Sequence, residues 1–219
     1  EFTELNDVLL YRQTHLWTQY ITTLSSYLQF DFGTTFDSQG LRTVRENIEQ
    51  TLPVSAELGL YAFVIALIVG FGAGFLAGWR PNTMTDHVVM SFSMFGVSVP
   101  SIVLGPLLIL VFIVWLQWFP AHGGWAVGPW QGWGQKVLPS ITLGLAYAAY
   151  FARLARGGLL EVRGQDFIRT ARAKGLTERR ILWTHASRGA AVPAMGFFGP
   201  ACAHLLVGSV VVETIFNIP

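Results

Sequence analysis

Residues 58–79, from Leu58 to Trp79, contain no Asp, Glu, Lys or Arg. At about 1.5 Å per residue, a helix over that run is about 33 Å long, enough to cross a hydrocarbon core of about 30 Å. Residues 88–118 are also free of these four residue types and include Ile102-Val103-Leu104 and Leu107-Leu108-Ile109-Leu110-Val111-Phe112. Residues 189–212 form a similar run that ends at Glu213. A fourth run, 137–152, is short. It reaches spanning length only if Arg153 and Arg156 lie on the same helix and extend their charged ends to the interface. Four spans are expected. A single apolar run also fits a buried helix of a soluble domain, but four in 219 residues argue against that. Only 12% of residues are charged and 52% are hydrophobic, whereas soluble domains carry about 25% charged residues.

The net charge of +1 gives no case for nucleic-acid binding. Cys202 is the one cysteine, so no internal disulfide forms, and it reads as a small buried residue. No zinc-type cysteine–histidine spacing occurs. The chain starts at Glu1 rather than Met and shows no signal peptide. The expectation is that both ends continue beyond it.

Basic residues give the orientation. Nine of the 14 Lys and Arg lie between Arg153 and Arg188, with three acids (Glu161, Asp166, Glu178), so this segment is expected in the cytoplasm. Residues 1–50 hold seven acids and three bases and are expected outside. The four spans then alternate without conflict. Trp115, Trp118, Trp125, Trp130 and Trp133 fall at the outer end, where tryptophan favours the membrane interface. An aromatic ligand cage is the competing reading.

Ala62, Ala66, Gly70, Gly74 and Gly78 recur at a spacing of four and make one ridge along the first span. No hydrophobic force draws helices together within lipid, so close approach through small residues marks a helix-packing face. Pro100, Pro106, Pro193 and Pro200 lie in or beside spans and can kink them. Val44, Ile48 and Leu52 recur among charged residues, which predicts a short surface helix over 42–52, ending before Pro53.

The most informative stretch is the expected cytoplasmic loop 161–190. Phe167, Ile168 and Ala171 share a helical face, Arg172 and Lys174 suit the negative end of that helix, and Gly175 fits a left-handed stop. Thr177 can cap a second helix, with Leu176 and Ile181 as a hydrophobic staple and Ile181, Leu182 and His185 on one face. The physical reading is two short helices joined at a glycine, a basic elbow outside the membrane that can pass force from a partner into the spans. A loop that only sets topology is the alternative, but it needs neither caps nor apolar faces.

The run Asp166-Phe167-Ile168-Arg169-Thr170-Ala171-Arg172-Ala173-Lys174-Gly175-Leu176 resembles the coupling-loop motif of ABC importer permeases of the dipeptide/oligopeptide/nickel type. His185-Ala186 followed by Pro193 is similar to that family's pattern. So are Phe30-Asp31-Phe32-Gly33, Leu52-Pro53-Val54-Ser55-Ala56-Glu57-Leu58, Pro100-Ser101 and Leu138-Pro139-Ser140-Ile141-Thr142-Leu143-Gly144. The segment Gly208–Pro219 resembles the first of the two permease types in such transporters. The wider superfamily has Glu-Ala-Ala-x-x-x-Gly where this chain has Arg169-Thr170-Ala171 before Gly175, and Arg188-Gly189 stands where Arg-Asn is frequent.

The resemblance implies an all-α integral membrane protein of the inner membrane, part of a type I ABC importer transmembrane domain, with cytoplasmic coupling helices. It implies residues 1–50 as an extracytoplasmic segment and 51–219 as the permease domain. The implied partners are a second permease subunit, two cytoplasmic ATPase subunits, an extracytoplasmic solute-binding protein and the lipid bilayer. Arg169, Thr170, Ala171, Lys174, Gly175 and Glu178 are expected to touch or support the ATPase contact. Ala171 and Gly175 would permit close approach, with Lys174 and Glu178 at its rim. Di- and oligopeptides are the implied cargo, with nickel or glutathione as alternatives within the type.

The sequence has no G-x-x-x-x-G-K-S/T loop, so no bound cofactor is expected and ATP is assigned to partner subunits. It also lacks H-E-x-x-H, and its histidines are scattered. His204 reads as a neutral side chain hydrogen-bonded between helices, with a solute ligand as the alternative. Glu213 reads as interfacial. A membrane enzyme built on Glu213 and His204 lacks a nucleophile or metal set. A passive channel or scaffold needs no ATPase partner and no Gly175.

Overall fold

The computed structural model describes residues 16–35, 42–120, 125–128, 132–207 and 210–218. Outside these lie residues 1–15, Asp37, His122, Trp130, Gly208, Ser209 and Pro219, and the readings placed on them above. The chain's internal contacts divide after Leu52.

In the first unit, helix α1 (Leu16–Leu28) carries Trp17, Tyr20, Ile21, Leu24 and Tyr27 exposed. Two-residue strands β1 (Thr34–Thr35) and β2 (Arg42–Thr43) pair antiparallel, Thr34 opposite Thr43. Thr43 then starts helix α2 through a reciprocal pair of bonds. The Glu46 amide donates to Thr43 Oγ1 (3.2 Å), and the Thr43 amide donates to Glu46 Oε2 (3.4 Å). This Thr-x-x-Glu box satisfies two amides that a helix start leaves open.

Helix α2 runs over Val44–Trp79, so the expected separate surface helix over 42–52 is corrected: the helix does not end before Pro53. A proline removes one helical hydrogen bond, and here the carbonyl it frees belongs to Glu49, which is exposed to other partners. A wide π turn occupies Ala66–Phe71 within the same helix.

The expected second span is also corrected. It is a bent pair, α3 (Met84–Ser98) and α4 (Ser101–Trp115), meeting at 107°. Pro100 lacks the amide needed to continue α3 and holds Val99 extended, at φ −86° and ψ 116°. Helix α5 (Trp133–Arg163) carries both Arg153 and Arg156, which gives the short fourth run its spanning length. Helix α6 (Asp166–Ala173) follows, then α7 (Glu178–Leu206) and α8 (Val210–Ile215). Among the described residues, α2, α5 and α7 are each long and apolar enough to cross a membrane, and the bent pair makes a fourth if counted as one span.

Two expectations about α7 change. The elbow's second arm is not a short separate helix. It is the first turns of α7, continuous through Pro193 and Pro200 into the last span. That span in turn stops at Leu206, with α8 following as its own element.

Helix α5 is the centre of the second unit and packs against α2, α3, α4 and α7. Leu58, Ala62, Phe63, Phe151 and Leu205 belong to one buried cluster. A second cluster at the basic end joins Phe75, Leu159, Ile168, Ile181 and Leu182. The remaining faces of the spans are apolar and exposed, as with Ile68, Leu76, Phe92 and Met195. That is the surface a lipid-facing helix presents.

Candidate functional site

The elbow is built by a helix stop with complete backbone geometry. Gly175 sits at φ +74°, a left-handed conformation that strains any residue with a Cβ. Its amide donates to the Arg172 carbonyl (2.9 Å), and the Leu176 amide donates to the Ala171 carbonyl (3.3 Å). Together these are the paired bonds of a Schellman motif, which satisfy carbonyls that the end of α6 leaves open. Leu176 then packs on the basic-end cluster, of which Ile181 is a member. Thr177 stands at the start of α7 but makes no side-chain capping bond, which corrects the expected cap; its carbonyl accepts from the Ile181 amide (3.0 Å).

An ion pair does the joining instead. Arg172 Nε donates to Glu178 Oε1 (2.6 Å) and Nη2 to Oε2 (3.3 Å), so the two arms are tied across the glycine. The hydrogen bond to Glu178 raises the Arg172 pKa above its ordinary value. Sequence reasoning missed this pair because six residues across a turn is not a helical spacing.

The sequence-derived coupling residues divide into two groups. Arg169, Thr170, Lys174, Gly175 and Glu178 are each exposed at the elbow, Glu178 also bordering the cleft beneath it. Arg169 lies 3.5 Å from Asp166, and Thr170 Oγ1 donates to the Asp166 carbonyl (2.9 Å). Ala171 differs. It is buried with Ile168 against the chain's own cluster, so the idea that Ala171 lets a partner approach closely is corrected. Its small side chain seats α6 on the bundle from beneath. Phe167, expected on that same face, is exposed.

The ridge on α2 meets α5. A Cβ added at Gly70 falls 2.8 Å from the Ala148 Cα, and one at Gly74 falls 2.7 Å from the Ala152 Cα. At Gly78 it meets the Leu159 side chain at 3.1 Å. In return Gly144 of α5 abuts the Ala62 backbone, and Ala62 and Ala66 are fully buried. The two backbones therefore touch, which dispersion between closely packed helices rewards where lipid offers no hydrophobic drive. Helices α5 and α7 repeat the device through Gly158 on Ala190 and Gly189 on Val162. The paired glycines Gly157-Gly158 were the available signal for that second interface.

Three polar clusters were not legible in the sequence. Glu57 accepts from Lys136 Nζ (2.8 Å), the Tyr61 hydroxyl (2.8 Å), Trp125 Nε1 (2.9 Å) and the Gly128 amide (3.2 Å). Lys136 is almost fully buried and also donates to the Gly128 carbonyl (2.6 Å). Trp125 is thus buried in a hydrogen-bonded cluster rather than anchored in lipid, whereas Trp115, Trp118 and Trp133 are exposed. Arg156, expected to extend to the interface, instead pairs with buried Asp86 through Nε (2.5 Å) and Nη2 (2.7 Å). Arg163 Nη1 donates to the carbonyls of Gly78 (3.1 Å) and Trp79, the last residues of α2.

His204 is exposed and makes no side-chain hydrogen bond to the described residues, which corrects its expected place between helices. Glu213 keeps one buried carboxylate oxygen without a partner among them. No group of three or more His, Cys, Asp or Glu among the described residues could hold a metal ion.

Residues 70–219 match the family described as binding-protein-dependent transport system inner membrane component. The oligopeptide transport system permease protein OppB of Salmonella typhimurium is 44% identical over 206 residues, covering 93% of this chain and 65% of the relative. The dipeptide transport system permease protein DppB of Bacillus subtilis is 41% identical over 201 residues, 92% of this chain and 63% of the relative. The probable peptide ABC transporter permease protein y4tP of Sinorhizobium fredii is 34% identical over 205 residues, 92% and 64% respectively. The chain spans somewhat under two thirds of the length of these relatives. Its lipid-facing helices, glycine elbow and matched residues make it a member of the binding-protein-dependent transport system inner membrane component family, a multi-pass inner-membrane protein.

Proposed function

We propose that this chain is the permease subunit of an ATP-driven importer of di- or oligopeptides, forming half of the translocation pathway. The observation that carries this reading is the elbow. A left-handed glycine, a cross-arm ion pair and a seated α6 make it rigid, and its second arm is the start of a spanning helix. Pushing on such an element moves α7 directly, because a continuous helix does not absorb the displacement in a joint. Its exposed residues Arg169, Thr170, Lys174 and Gly175, with Glu178 at the rim, offer a polar, mainly basic surface to a cytoplasmic ATPase. ATP chemistry belongs to that partner, so the chain is a transport subunit rather than an enzyme. A second permease subunit completes the pathway, two ATPases each receive one elbow, and an extracytoplasmic binding protein selects the solute. The peptide cargo rests on the names of the relatives.

The test is Gly175→Trp in the assembled transporter. The left-handed backbone admits no side chain without strain of about 1 kcal/mol or more, and an indole on the outer face blocks a flat partner. Copurification of the ATPase subunits falls and peptide uptake is lost, while membrane insertion is normal. Full uptake by the variant refutes the coupling role, as does labelling of the elbow from outside the cell.

A further inference from the structure

Arg163 lies in the last turn of α5, immediately before the elbow, and does two things at once. It donates to the carbonyls of Gly78 and Trp79, where α2 ends and Arg80 leaves the helix at φ −118° and ψ 72°. The end of a helix leaves up to four carbonyls unpaired, and a cation there also meets the negative end of the helix dipole. Arg163 also lines a small cleft beneath the elbow with Trp79, Ile168, Arg172, Glu178 and Leu182. Its guanidinium therefore stands where the inner end of α2, the inner end of α5 and both arms of the elbow converge. Phe75 of α2 supports the same junction, with its ring 5.4 Å from that of Trp183.

We infer that Arg163 is a positioning residue that carries displacement of the elbow into α2, so that the first span moves with the last. The elbow's own covalent route reaches α5 through Gly164 and α7 through the continuous helix. It reaches α2 only through noncovalent contacts and through the end of α5, where Arg163 holds α2 by two hydrogen bonds beside the cleft it shares with Arg172 and Glu178. Without the guanidinium, the α2 carbonyls turn to water and the end of α2 is left to apolar contacts that permit sliding. The inference rests on the proposed importer reading.

The experiment uses the full transporter, with its ATPases and binding protein, in proteoliposomes. The native Cys202 is replaced by Ser, and spin labels are placed at Leu76→Cys on α2 and Arg179→Cys on the elbow. Distances are measured without nucleotide and after trapping with ATP and vanadate, and uptake of trialanine is measured per ATP hydrolysed. With Arg163 the label distance is the same in both states. With Arg163→Ala it shifts or broadens on trapping, and uptake per ATP falls at least about fivefold, the low end of coupling between sites. Arg163→Lys, which keeps a charged donor, restores most of that ratio. The inference is overturned if Arg163→Ala preserves both the distance and the ratio, or lowers only the amount of complex recovered, as a purely structural role would. Absence of any ATPase in the unsubstituted complex overturns the importer reading itself, and is seen separately.

Discussion

Replacing Gly74 by Ala is the sharpest test of how α2 and α5 are held. The added Cβ falls 2.7 Å from the Ala152 Cα, where ordinary van der Waals contact begins at 3.4 Å. The Ala152 carbonyl oxygen lies nearer still, so the helices must separate locally by more than about 0.7 Å, and the obstacle is backbone, which cannot rotate aside. Inserting one methyl into so close an approach costs about 1–3 kcal/mol, and the weakened dispersion along the ridge on either side adds to it. Gly72 supplies the control two residues away. Its Cβ meets nothing within 4 Å, and alanine is favoured over glycine in a helix by about 1 kcal/mol. Gly72→Ala therefore leaves stability unchanged or raises it. Gly78→Ala falls between, because the Leu159 side chain at 3.1 Å can yield. The assay is thermal unfolding of the purified protein in detergent, followed by size-exclusion recovery after heating. The order of recovery is Gly72→Ala, then Gly78→Ala, then Gly74→Ala. Equal recovery of Gly72→Ala and Gly74→Ala would refute the close-approach argument.

Two further outcomes follow from burial. Lys136→Met takes away the counter-charge of the Glu57 carboxylate, leaving it only the neutral donors Tyr61, Trp125 and Gly128, and lowers stability by about 3 kcal/mol, whereas the double variant Glu57→Gln with Lys136→Met is much milder, since no charge is left without its partner; melting of the four proteins as a double-mutant cycle reads the difference. Ile168→Ala removes a fully buried side chain from the seat of the elbow and costs about 2–5 kcal/mol locally. Hydrogen exchange of the amides over 166–182 then speeds up relative to those of α5, and unchanged protection there would show that α6 is held by other contacts.

The motif Thr-x-x-Glu at Thr43 and the bend at Pro100 show where local rules and tertiary rules part. Both are short-range devices, and both are readable from neighbouring residues once the helix boundaries are known. Pro53, Pro193 and Pro200 are the same residue type as Pro100, yet the helices pass through them. Proline alone does not decide between a break and a continuous helix. The decision depends on whether the freed carbonyl finds other partners and whether neighbouring turns are held by packing. Ala171 makes the same point for the elbow. Its position in the motif was clear, but only the fold shows that its face turns inward.

The sequence by itself determined that this chain lives in a membrane, where its basic segment lies along the chain, that Gly175 stops a helix, and that the ridge from Ala62 to Gly78 is small enough for close contact. These follow from composition, charge distribution and helical periodicity, which act within a few turns of the chain. Only the tertiary structure decided which charges meet: Glu57 with Lys136, Asp86 with Arg156, and Arg163 with the end of α2. Those partners stand 70 or more residues apart. Their pairing is set by which helices the small-residue contacts bring together, and a charge carries no local mark of the partner it will find across a bundle.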